Sequence, residues 1–388
     1  SYQQFLMGMP PDLLARTRAS DWRLIALLAA KNGRLDIALD QVEHIYKYRH
    51  RLYGDQHPQT QEAAGIRAVV HLLRGDTRQA MSDYETLFTA TLDTPGGWLD
   101  LDIRGIRGYV FGIAFEEFMN HVAERALKGE KIDPKMSVRA LQVADRSNLS
   151  VTQRALTDST ARVLAKTPEL RNLIEQEQIQ RQSVSATFSK INGLLTQEDQ
   201  LRRDARKETF KQLPEADRKL HAERLKMLKT QIKELQSEAN TARDALKEKR
   251  RQIADAFPAF ADLVTPTTPD IDTLRRLLGP GEALLLIHPM DSATFVWLVG
   301  NDGHDGFTAS RMNRSDIADR TNELRGIMDI GAEPRGFEPA LKLEPMYALY
   351  RELLAPLDAQ LLNVQSLMIA TQGPLASVPL AALITRPP

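Results

Sequence analysis

The last hundred residues set the tightest limit on what this chain can fold into. Between Ala283 and Ile384 lie the apolar runs ALLLIHPM (283–290) and TFVWLV (294–299), a third strand-like run near FTASRM (307–312), and a fourth at Leu367–Ala370. Short, continuous apolar runs of this kind read as strands covered on both faces. Gly279-Pro280-Gly281 turns the chain into the first of them, and GNDGHDG (300–306) is a hairpin loop. Ser315 is placed to cap a helix running to about Met328, and Met346–Leu354 reads as another helix. An α/β sheet with so few strands leaves an edge or a face uncovered. The segment therefore reads as the first half of an α/β domain, and the chain as the front part of a larger unit. The strand at Leu367–Ala370 is expected to be apolar on both sides and to present an unpaired edge or apolar face that another chain segment covers.

Upstream of this segment the pattern is helical, and part of it repeats. WRLIALLAAKNGRLDIALDQVEHIYKYR (22–49) parallels IRAVVHLLRGDTRQAMSDYETLF (66–88). Gly33 and Ala38 of the first stretch match Gly75 and Ala80 of the second, each pair 42 residues apart. The glycine supplies the left-handed residue that ends a helix, and the small alanine lets two helices approach closely. In the connector 52–64, Gly54 acts as a stop and Pro58 stands near the next helix start. A third, degenerate copy is placed at 103–128. Residues 135–179 read as a helical connector, with Ser150 as a helix cap and Thr167-Pro168 as a break before a new helix.

Residues 180–257 read as a long charged hairpin. Leu225, Leu228, Ile232, Leu235, Ala239, Ala242, Leu246 and Ile253 follow steps of three and four, interrupted only at Lys249. Val184, Thr187, Ile191, Leu194 and Leu201 form a weaker stripe on the first arm, and Leu213-Pro214-Glu215-Ala216-Asp217 fits the turn. The simplest arrangement is an antiparallel intramolecular coiled coil; the runner-up is a dimerising coil. Residues 198–251 hold 16 Lys and Arg against 11 Asp and Glu, a solvated face without the stacking aromatics of a nucleic-acid site.

Composition narrows the function classes. The formal net charge is zero, so no global field favours nucleic acid or an anionic membrane. The chain has no Cys, which removes disulfides, thiolate zinc sites and a cysteine nucleophile from within these residues. No apolar run approaches the ~20 residues of a membrane span. The opening SYQQFLMGMPP lacks the pattern of a signal peptide, which leaves the cytoplasm as the expected compartment, a removed leader being compatible with it.

The paired helices, with Gly, then Ala, then a Tyr- or Phe-bearing helix, resemble tetratricopeptide repeats, and the 42-residue period with YGDQHPQT resembles the longer kinesin-light-chain type. Stacked repeats of that kind present a concave face for a protein or peptide partner. The order of repeats, long hairpin, FPAFADL, GPGEALLLI, TFVWLVGNDG, LYRELLAPL and LMIATQGPLASVPLAALIT resembles the CHAT family over roughly 135–388. These are bacterial tetratricopeptide proteins ending in a caspase-like peptidase domain. The resemblance implies helical repeats at 1–134, a connector at 135–179, a coiled-coil hairpin at 180–257 and the N-terminal half of the caspase-like domain at 258–388. It implies a regulated cysteine peptidase that cleaves a protein substrate, in bacterial defence or stress signalling. It also implies that the remainder of that domain, or another chain, pairs at Leu367–Ala370. The family's His–Cys pair lies in later segments resembling H-x-A-x-H-G and S-A-C, and neither occurs here. No catalytic residue, cofactor or metal ligand is therefore assigned, and these residues alone are expected to be inactive. The rival is a non-catalytic scaffold for complex assembly.

Individual candidates have plainer readings. Glu117, His121 and Glu124 share a helix face, but metal binding needs ligands from elsewhere. His288 stands at a strand end before Pro289, and His304 at a hairpin tip. Gly300, Gly303 and Gly306 lack the strand-to-helix context of a dinucleotide fingerprint. Gln372-Gly373-Pro374 follows a strand end, where it redirects the chain or borders a cleft.

Overall fold

The computed structural model describes residues 23–55, 57–93, 106–147, 167–205, 207–258, 260–261, 270–328 and 343–388. It is mostly helical, with one four-stranded mixed sheet near the C-terminus. Its contacts divide the chain into two units, one of residues 1–115 and 149–267, the other of 116–148 and 268–388.

In the first unit, α1 (23–31) and α2 (Leu35–Tyr53) form one helical pair, and α3 (Pro58–Arg74) and α4 (Thr77–Thr91) another. The matched glycines end α1 and α3 in the same way. Gly33 and Gly75 have φ of 74° and 85°. The amides of Arg34 and Asp76 donate back to the carbonyls of Ala29 and His71, closing a left-handed cap that costs glycine no Cβ strain. Ala38 and Ala80 are both buried. Pro58 opens α3, with His57 Nδ1 accepting the Gln59 amide at 3.1 Å. The segment expected as a third helical pair, 103–128, instead contains one continuous helix, α5 (Ile106–Leu127), through which Gly112 passes without a break. Tyr84, Phe88, Phe111 and Phe115 pack in this unit's interior, and the Tyr84 hydroxyl donates to the Ala114 carbonyl at 2.9 Å.

Charged side chains fasten these helices from inside. Glu62 is fully buried and accepts from Arg23 Nη1 at 2.8 Å and from Arg49 Nη1 at 2.9 Å. Burial pulls the Arg49 guanidinium below its ordinary pKa, and the Glu62 charge opposes that pull. Arg67 forks onto Asp83 at 2.7 and 2.9 Å and lies 3.6 Å from the centre of the Tyr46 ring, so one cation links α2, α3 and α4.

The hairpin belongs to the same unit. Helix α7 (Pro168–Asp204) begins at the Thr167-Pro168 break, with Thr167 Oγ1 accepting the Leu170 amide, so the arm reaches back into the expected connector. A short turn of helix at Glu208–Lys211 leads to Pro214 and to α8 (Glu215–Ala256). Ile232 and Ala239 pack with Ile191 and Leu195 of α7, Ile253 packs with Leu170 at the start of that arm, and Leu228 and Leu246 are buried as well. At the break in the heptad the seam holds Arg250, which forks onto Glu177 at 2.9 and 3.0 Å. A buried cation is tolerable there because a carboxylate is held directly against it.

In the second unit the sheet runs β3 (Gly306–Ser310), β2 (Thr294–Gly300), β1 (Glu282–Pro289), β4 (Ser366–Thr371). The first three are antiparallel, and β4 joins β1 in parallel after a helical crossover. One face buries Ala283, Leu285, Ile287, Val296 and Leu298. These pack under Ile317 and Leu324 of α10 (Arg314–Met328) and Leu349 and Leu353 of α11 (Glu344–Leu353), with α9 (Ile271–Leu277) preceding the sheet. On the other face Phe295 stacks on Trp297 at 5.7 Å between centroids, and Phe307 lies tilted against Trp297 at 5.6 Å. Trp297 Nε1 donates to the Ser137 carbonyl of α6 (Pro134–Ser147) at 3.2 Å, which ties residues expected as a connector to the sheet. The cap of α10 is Asn313, whose Oδ1 accepts the Ser315 and Asp316 amides at 2.8 and 3.0 Å. Ser315, read as the cap, already lies inside the helix.

Candidate functional site

The sheet ends on one side at β4, one of its two edge strands. The strand forms where an uncharged run holding the β-branched Ile369 and Thr371 meets the β1 edge, at the place Gly281 opens for it. Gly281 has φ of 75°, and its carbonyl accepts the Gln365 amide at 2.8 Å, fixing the register from Glu282↔Ser366 to Ile287↔Thr371. Among the described residues β4 pairs with β1 and with no other strand. Exposed side chains stand on both of its faces, Met368 at 43% and Ile369 at 42%, while Leu367 packs partly buried against the sheet's core. The expectation of a buried strand at Leu367–Ala370 is corrected on this point, because burial needs a neighbour on each edge and a layer on each face. The expected unpaired edge is present among the described residues. Chemically, this edge offers backbone donors and acceptors flanked by uncharged apolar side chains, a template for an added strand.

The strand ends at Gln372, and Gly373, at φ 63°, starts a short 3₁₀ turn to Ser377. That turn drives Leu375 into the sheet's core, so Gln372-Gly373-Pro374 redirects the chain. At the same end of the sheet, His288 is buried opposite Phe295, with Nδ1 lacking a hydrogen-bond partner. Desolvation, with the nearby Arg314 charge, holds its pKa down to about 4, so the ring is neutral. His288 and the bare β4 residue Ile369 point to opposite faces, since His288 shares its face with Phe295 and Ile369 shares its face with Leu285.

The remaining candidates are scattered. His304 sits in the β2–β3 loop with Nδ1 2.8 Å from Asp302 Oδ2, and its amide and side chain hold the Asp302 carboxyl below its ordinary pKa. Gly300 is needed there: a Cβ would lie 2.9 Å from Asp302 Oδ1 and 3.2 Å from the His304 carbonyl oxygen. Gly306 faces Leu357, whose Cδ2 would be 2.6 Å from an added Cβ. These glycines serve a tight loop and a close packing contact. His121, half-buried on α5, has its pKa lowered chiefly by burial, and Glu124 lies 4.0 Å from Lys128. Among the described residues no group of three His, Asp or Glu is arranged to hold a metal ion, and no helix is long and apolar enough to cross a membrane. Ser150 lies outside the described residues. No family model, no curated protein and no solved structure matches this chain.

Proposed function

We propose that this chain carries the regulatory helices and the first sheet strands of a CHAT-type caspase-like peptidase. The helical pairs act as tetratricopeptide-like repeats that bind a protein partner, and β4 receives the next strand of the catalytic domain. The observation that carries the reading is the bare, uncharged β4 edge, with Met368 and Ile369 exposed on a sheet otherwise well covered. The identical glycine caps of α1 and α3 support the repeat assignment. Chemistry would come from a His–Cys pair outside these residues, the thiolate attacking the scissile carbonyl and the imidazole moving the proton. The test is the sequence and intact mass of the native gene product, with a peptidase assay on it and on the 388-residue chain. A His–Cys pair downstream, activity in the native product and none in the chain are expected. A native product without that pair, or cleavage by the chain alone that a substitution within it abolishes, overturns the reading. The absence of Cys from these residues favours a second reading, a non-catalytic scaffold, which the same experiment separates.

A further inference from the structure

Among the described residues, the hairpin helix α8 is covered on two sides. Its heptad seam faces α7. A second side meets α2, where Gln236 Nε2 donates to the Leu52 carbonyl at 2.6 Å. On the third side Leu220, Met227, Glu234 and Thr241 follow one another at seven-residue intervals, and so share a face. Its character changes along the helix. Toward the hairpin tip it projects large apolar groups, Leu220 at 65% and Met227 at 57% exposure. Beyond Met227 it meets a shallow groove of about 510 Å³ along the α7–α8 junction, lined by Gln180 of α7 and by Ser237, Glu238, Thr241, Ala245 and Ala242 of α8, the last at the edge of the heptad seam.

We propose that this face is self-complementary and that a second copy of the chain docks on it, α8 against α8, antiparallel about a two-fold axis at Gln231. In that arrangement Leu220 of each copy falls on Ala242 of the other, since both lie eleven residues from Gln231. The bulk of one end fills the hollow of the other. Arg224 and Glu238, each seven residues from Gln231, come together at the same time. Both are exposed, and among the described residues neither has an ion-pair partner. The symmetry makes every contact twice. A parallel pairing would instead stack Leu220 on Leu220, leave the groove empty and set Glu234 and Glu238 on their own copies, so charge and shape both select the antiparallel form. The product is two helical hairpins side by side, a four-helix layer of familiar packing.

Sedimentation velocity of the 388-residue chain over a concentration series tests this. A dimer is expected. Leu220→Glu, at an exposed position whose folding can be checked by circular dichroism, should raise its Kd about a hundred-fold or more, because two buried leucines are lost per dimer. Arg224→Glu should raise it about ten-fold or more, and Arg224→Glu combined with Glu238→Arg should return it to within about three-fold of the parent. A chain that stays monomeric to about 100 μM, a dimer indifferent to Leu220→Glu, or a charge reversal that the second substitution does not rescue, each overturns the proposal. The monomeric result would leave the face to a different protein.

Discussion

Strands β2 and β4 have nearly the same kind of sequence and opposite fates. TFVWLVG is buried at all seven positions, whereas SLMIAT has four of its six residues exposed. Both are apolar, uncharged and free of proline. The difference lies in their neighbours. β2 has β1 and β3 on its edges, the α10–α11 layer on one face and Trp297's contact with α6 on the other. β4 has β1 alone. A strand's own residues set its capacity for burial, and topology decides whether that capacity is used. Helix α8 repeats the lesson, with Ile232 sealed in the seam and Leu220 bare on the outside.

The contrast can be broken hardest at Trp297. Replacing it with Ala should cost about 3–5 kcal/mol, from the cavity and the lost bond to Ser137. Calorimetry of the wild type and variant would measure this, and a loss below about 1 kcal/mol would mean that β2 is not sealed. A second, pH-dependent effect comes from His288. Its folded pKa of about 4 lies below the value of about 6.5 expected in the unfolded chain. As pH falls through that window the unfolded chain takes up the proton first, so stability present above about pH 6.5 is lost toward pH 4. The loss is about 3 kcal/mol at most. Urea unfolding at several pH values should show this slope in the wild type and not in His288→Phe. Smallest is the effect at β4: Ile369→Ala should cost about 1 kcal/mol or less in the 388-residue chain, because the side chain is already half in water. Denaturant midpoints would show it, and a loss near that of a core leucine would mean the edge is covered within this chain.

Much of the architecture was legible because it rests on local signals. The strands at 283–299 announced themselves by apolar runs, the hairpin by its heptad, and the helix ends by Gly33, Gly75 and Thr167-Pro168. What stayed hidden depends on contacts between distant residues. The pairing of Trp297 with Ser137 spans 160 positions and leaves no periodic trace. Arg250 looked like a surface charge because its partner, Glu177, lies 73 residues away. Ser315 was misread as a cap because Asn313, two residues earlier, offers the same chemistry. The exposure of β4 was half legible: counting strands foretold a free edge, while the run's apolar composition pointed to burial.

Amide hydrogen exchange across residues 366–371, compared between the 388-residue chain and the native gene product, tests the central claim most directly. If β4 receives a strand, the outward-facing amides of this segment should exchange fast in the chain and become strongly protected in the native product, the inward ones being protected in both. Equal exchange in the two proteins would contradict it, leaving β4 as a finished edge.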